Sequence, residues 1–173
     1  MFASLDELAA RARLWRCAQV GARVRVRGRV VVHGHGRIVV GDDVSLDGRE
    51  VPIELFAGPG AELVIGDGCV LAAGVSLEAH RKVALGPRCT LDRLAKVMDS
   101  NFHAVNADRL APVTPAPVLL DEGVKVGERS IVLPGAHLEA GVTLLPYTVV
   151  SRRVRAGATL RGCPARAVEK VKG

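Results

Sequence analysis

From Leu120 to Arg155 the apolar positions of this chain recur every six residues. An aliphatic residue stands at Leu120, Val126, Val132, Leu138, Leu144 and Val150, and four places after each comes a small or β-branched one: Val124, Ser130, Ala136, Val142, Thr148 and Val154. A period of six is neither the 3.6 of an amphipathic helix nor the 2 of a strand with one buried face. It describes a chain that turns a corner at regular intervals and sends one large apolar side chain per interval into a shared interior. Short-period repeats of this kind predict a parallel β-helix, in which each rung buries its apolar face on the next.

The period begins earlier and fails in definite places. Val20, Val26 and Val32 carry it, with Val24 and Val30 in the second slot; it slips near His33–Gly36 and resumes at Val40, Val44 and Leu46. The stretch 47–60 breaks it, and its Pro and Gly content predicts an excursion from the rung. Ile65, Cys69, Leu71, Val75 and Leu77 recover the register, which slips by two near Val83 and Leu85 and continues through Leu91 and Val97. Between Ala104 and Pro117 no repeat is present, and Pro112, Pro115 and Pro117 oppose a regular strand. This segment is predicted to be a loop projecting from a rigid scaffold, the kind of place where function concentrates. At the N-terminus Ser4 and Glu7 form a capping box, and Leu5, Leu8, Ala12 and Trp15 fall on one helical face. The expected organisation is an N-terminal capping helix over 1–19, an all-β solenoid over 20–161 with a projecting loop at 104–117, and a C-terminal tail over 162–173.

Composition agrees with a narrow interior. Apolar residues make up 49% of the chain and aromatic residues only 3%, so the core is built from Val, Leu, Ile and Ala. Nineteen glycines suit tight corners that need positive φ. The formal charge is +6, which attracts nucleic acid, anionic membranes or phosphate-bearing small molecules. Without a compact basic run, and with almost no aromatic residues to stack bases, the charge reads as surface charge plus a phosphate site, not as a nucleic-acid interface. Cys17, Cys69, Cys89 and Cys163 are far apart with no C-x-x-C pair, which predicts reduced thiols in a cytoplasmic protein. Neither a signal peptide nor a membrane insertion is expected from the acidic N-terminus.

The hexads, together with Asp99-Ser-Asn-Phe-His103 and Gly162-Cys-Pro-Ala-Arg166, resemble the hexapeptide-repeat acyltransferases, above all the sugar O-acetyltransferases. Val132-Leu-Pro-Gly135, Gly141-Val142 and Thr148-Val-Val150 match the usual ending of that family. The resemblance implies a left-handed parallel β-helix of about eighteen residues per coil, assembled as a homotrimer. It also implies acetyl-CoA as acyl donor, bound in a groove between neighbouring solenoids near Ser130, Pro146, Tyr147, Thr148 and Arg166, and a sugar or glycan acceptor entering beside the projecting loop near Asn101 and Phe102. Arg152 adds basic charge for the CoA phosphates, and with the two-residue slip counted His80 falls one coil from Ser100, beside the acceptor. No metal is expected as a cofactor.

In similar enzymes a histidine in an Asp-x-x-Phe-His setting is the general base, and His103 occupies that position. An acceptor hydroxyl is a poor nucleophile until its proton is removed as it attacks the thioester, and imidazole, with an unperturbed pKa near 6.5, takes that proton at neutral pH. Asp99 orients the ring or binds the acceptor; the spacing does not say which. Departures from the family pattern stand at Leu145-Pro146-Tyr147, where a Gly-Ala-Gly turn is usual, at Lys125 in place of tryptophan and at Cys163 in place of asparagine. They favour, as an alternative, a scaffold or regulatory β-helix that has lost ordinary CoA binding. The zinc-dependent γ-class carbonic anhydrases share the fold, but no two of the five histidines have the His-x-x-x-x-His spacing of their metal site.

Overall fold

The computed structural model describes residues 5–101 and 114–168. Its body is a three-sided solenoid of about six coils built from short parallel strands. On the first face lie Gln19–Val20, Arg37–Val40, Glu62–Ile65, Lys82–Leu85, Val118–Leu120, His137–Leu138 and Arg153–Val154, stacked in that order. The second face carries Val70–Leu71, Thr90–Leu91, Lys125–Val126, Thr143–Leu144 and Thr159–Arg161; the third carries Ser76–Ala79, Lys96–Met98, Ile131–Val132 and Val149–Val150. Two long strands, Arg25–Gly34 and Ser45–Ala57, run across both of these faces in the first two coils.

The hexads explain the stacking. Leu120 pairs with Leu138, Val126 with Leu144 and Val132 with Val150, partners eighteen residues apart, so like positions sit on like positions. All six aliphatic residues are buried, and so are Val124, Ser130, Ala136, Val142, Thr148 and Val154. Each fully buried Leu or Ile contributes on the order of 2 kcal/mol through area removed from water. Corners are closed by left-handed backbone: Gly123, Gly141 and Gly157 have φ of 69°, 69° and 68°, and each N–H donates to a carbonyl one coil below.

Two expectations change. The stretch 47–60 is not irregular throughout. Only its first part leaves the rung, at the register shift between Gly28 and Val30 of the neighbouring strand, and Ile53 to Ala57 return to pair with Val30 to Gly34. The helix α1 (Leu5–Arg13) caps the solenoid as expected, but with a different face. Ala10 and Leu14 enter the core, while Ala12 is exposed and Trp15 keeps 75% of its surface in solvent. Two inward residues four apart suffice at a blunt solenoid end, so the helix turns the smaller and less bulky pair inward. The side chains of Leu5 and Leu8 and the proposed cap at Ser4 lie outside what the structure describes.

Candidate active site

Residues 102–113, which hold most of the expected projecting loop, lie outside the described residues; the chain on either side of them sits at the corner between the third and first faces. There the Ala116 N–H donates to the Asp99 carbonyl at 2.8 Å, and Gly135 in the coil above donates to the Ala116 carbonyl at 3.1 Å. Asp99 is fully buried. Its carboxylate accepts the backbone N–H groups of His80 at 2.7 Å, Arg81 at 2.7 Å and Lys82 at 2.6 Å, one coil below. A short acidic side chain at this point supplies acceptors to a corner whose amides face away from any strand, which is why a corner with no glycine holds its shape. Both oxygens of Asp99 are engaged by the corner.

His80 is half-buried at this corner. Its ring lies 5.1 Å from Phe56 in a tilted arrangement, and Phe56 lies 5.0 Å from His33, so three rings from three successive coils make a ladder rising toward the corner. The spacing of His33 and Phe56 concealed this, because the slips in the repeat place them on one column only after the coils are stacked. Ser100 is buried and Asn101 is exposed. Phe102 and His103 lie outside the described residues.

The positions expected to face the donor divide into two sets. Ser130 and Thr148, expected near CoA, are fully buried. The Ser130 hydroxyl donates to the Leu145 carbonyl at 2.9 Å and accepts the Thr148 N–H at 3.0 Å, and the Thr148 hydroxyl donates to the same carbonyl at 2.6 Å. They hold the corner from inside. Pro146 and Tyr147 stand outside it, at the edge between the second and third faces. Tyr147 takes a φ of 61°, in a column with Gly74, Leu94 and Arg129 at 74°, 58° and 53°. Arg129 donates to the Tyr147 hydroxyl at 3.2 Å, and its guanidinium lies 5.8 Å from the ring centroid. Arg166 is exposed on a short antiparallel strand against Thr159–Arg161, and Arg152 donates to the Ala165 carbonyl at 3.3 Å. The two edges, with His80 and Asp99 on one and Pro146 and Tyr147 on the other, are separated by the third face, a strip of about four residues or roughly 13 Å.

Lower on the Tyr147 edge the excursion at 47–52 makes a groove of about 390 Å³ lined by Asp47, Arg49, Glu50, Ala72, Ala73 and Arg93. Its arginines are matched by acids, Arg49 with Asp47 and Arg93 with Glu50. Among the described residues no group of three His, Cys, Asp or Glu side chains is placed to hold a metal ion, and no helix is long and apolar enough to cross a membrane.

Comparison with known proteins places this architecture. No family model matches the chain. A variant of AntD, an N-acyltransferase from Bacillus cereus solved with dTDP and coenzyme A, superposes with a TM-score of 0.74 at 19% identity, covering 97% of this chain and 90% of that one. A hexapeptide-repeat acetyltransferase from Vibrio cholerae solved with acetyl coenzyme A gives 0.66 at 16% identity, covering 98% and 80%. The polysialic-acid-specific acetyltransferase NeuO gives 0.58 at 16%, covering 88% and 84%. In sequence, 67 residues are 28% identical to a tetrahydropyridine-dicarboxylate N-acetyltransferase of Staphylococcus aureus; the match spans 39% of this chain and 28% of that protein's length. The fold is therefore the left-handed β-helix of the hexapeptide-repeat acyltransferases.

Proposed function

We propose that this protein is a CoA-dependent acyltransferase that moves an acetyl or related acyl group to a hydroxyl or amino group of a sugar or glycan. The observation that carries the reading is the buried carboxylate at the corner that flanks the His103 segment. A fully buried Asp99 fixes the His80 corner and, through its own carbonyl, Ala116 on the far side of that segment. The proteins of similar fold are acyltransferases; two are solved with coenzyme A or acetyl coenzyme A, and a third is specific for polysialic acid.

In this mechanism the acceptor enters at the His80 edge, with Asn101, Phe102 and His80 as its contacts. The donor lies along the Pro146–Tyr147 edge, its phosphates near Arg152 and Arg166 and its thioester reaching across the third face. His103 removes the acceptor proton as the nucleophile attacks the thioester carbonyl, the C–S bond breaks, and the imidazolium returns the proton to the departing thiolate. The chain works as a homotrimer, as its resemblance to this family implies, and in the cytoplasm, which its four separated cysteines support.

A second reading has one observation in its favour. Tyr147 and Arg129 cover a corner where the family carries small residues, which suits a scaffold without a donor groove. The two readings separate in a thiol-release assay with acetyl-CoA and a panel of amino and hydroxyl sugars, including nucleotide-linked ones. The enzyme reading expects turnover that His103→Ala lowers about 10²–10⁴-fold with unchanged melting temperature. Turnover undiminished in that variant removes the base assignment, and no turnover with any acceptor supports the scaffold.

A further inference from the structure

At the N-terminal end of the molecule the positive charge has no acidic residue interspersed with it. Between Leu8 and Gly41 the chain has eight arginines and no acidic residue. Arg11, Arg13 and Arg16 come from α1 and the turn after it, and Arg25, Arg27 and Arg29 alternate along the first long strand; all six are exposed. The nearest acids, in the second coil, are already used. Asp42 accepts the Ala22 N–H at 2.8 Å, Asp43 is held by Arg23 at 2.6 Å and Asp47 by Arg49 at 2.6 Å. Among the described residues Arg11, Arg25, Arg27 and Arg29 make no ion pair.

At the same end stands Trp15, the single tryptophan of the chain, 75% exposed at the tip beyond α1 with the Arg16 guanidinium 5.7 Å from its ring centroid. A large exposed indole at a place where the helix has an apolar face to bury is not used for packing. α1 cannot rotate to hide it, because Ala10 and Leu14 are locked in the core and Arg13 donates to the Val26 carbonyl at 2.6 Å. Between the helix and the strand a groove of about 170 Å³ is lined by Ala9, Arg13, Arg25, Val26 and Arg27. Its volume suits one phosphate-bearing group, and the guanidinium forks match phosphate oxygens in pairs.

We propose that this N-terminal end docks on an anionic phospholipid surface, with Trp15 seated at headgroup level and the surrounding arginines on lipid phosphates. An indole with an apolar body and a polar N–H belongs at such an interface, and basic side chains around it add attraction to anionic lipid. A nucleic-acid surface would call for several aromatic residues in a row or an element shaped for a groove, and this end has one ring at a blunt tip. Docking stands the solenoid on its first coil. The His80 corner, two coils up, is then about 10 Å above that coil.

The single tryptophan makes the test direct. Full-length protein is titrated at low salt with vesicles of equal phosphatidylglycerol and phosphatidylcholine, with pure phosphatidylcholine vesicles, with heparin and with duplex DNA. We expect co-sedimentation and a blue shift of tryptophan emission with the anionic vesicles alone. Each basic side chain is worth about five-fold in partitioning. Arg25→Glu with Arg27→Glu therefore lowers vesicle binding more than ten-fold, Trp15→Ser also weakens it, and Arg155→Glu at the opposite end leaves it within two-fold. Melting temperatures of the variants confirm that they are folded. Absence of binding to the anionic vesicles overturns the proposal. So does equal retention by heparin or DNA without an emission shift, which marks a site for soluble polyanions.

Discussion

Asp99 and Tyr147 carry the interest of this protein at the scale of single residues, each for a reason that sequence spacing does not contain. Asp99 was selected by its place in the Asp-Ser-Asn-Phe-His stretch, and the structure places it against three backbone amides of the coil below. Asp99→Ala leaves these amides without their acceptor in a buried corner, and unfolding free energy is expected to fall by about 2–4 kcal/mol in a denaturant titration. A loss of less than about 0.5 kcal/mol would mean that water replaces the carboxylate at no cost. Tyr147 is a side chain at a corner where φ is positive, a conformation that costs a non-glycine residue about 1 kcal/mol. Tyr147→Gly relieves this and removes the ring that Arg129 covers. The expected result is stability within about 1 kcal/mol of the parent and weaker binding of coenzyme A by calorimetry, because the donor lies along this edge; unchanged or tighter binding would remove Tyr147 from donor contact.

Secondary elements were legible to the extent that they repeat. From Leu120 onward the coils are uniform, and every aliphatic and every small position of the hexads is buried as the period requires. Earlier coils hold extra residues at corners, and an added residue there changes the count without changing the stacking. That is why Ile53 to Ala57, which pair regularly, read as irregular. Likewise the rings of His33, Phe56 and His80 share a column that no single period reveals. α1 was recognisable as a cap, but its buried face was not, because two apolar stripes compete on a short helix and the solenoid end decides between them. Ser130 and Thr148 look like polar surface in a hexad, yet a hydroxyl in the small slot points inward and serves the corner carbonyl.

Ion pairs, two of them between coils and one within a strand, give the elements a pH dependence. The Arg153 guanidinium and the Ala156 N–H hold the Glu139 carboxyl below its usual range, Arg23 does the same to Asp43, and Arg49 lowers Asp47 to about 2. A carboxyl whose folded pKa is depressed adds stability above its unfolded pKa and loses it as pH falls through the folded value. The melting temperature is therefore expected to be insensitive to these groups from pH 7 to about 5 and to fall between about pH 4 and 2. The effect is modest because the pairs are exposed. Arg153→Ala should flatten the part due to Glu139. An unchanged acid limb in that variant would show that the pair has no role in the transition.

For the whole molecule, the fold places two unlike edges on either side of one strip of sheet. The His80–Asp99 edge is anchored from within by a carboxylate and flanks the segment that holds His103. The Pro146–Tyr147 edge is anchored from within by Ser130 and Thr148 and is covered by an arginine and a tyrosine where small residues are usual. Similar solved structures share the solenoid over nearly the whole chain at under 20% identity, so the architecture is what they have in common. Enzyme and scaffold readings differ at a single point, whether the second edge takes a donor. Thermal melts of the unmodified protein in millimolar coenzyme A decide it. Ligand at about 100 times its dissociation constant adds about 2.7 kcal/mol to the folded state, which the acyltransferase account predicts as a rise of several degrees. A melting temperature unmoved by coenzyme A and by acetyl-CoA would contradict that account.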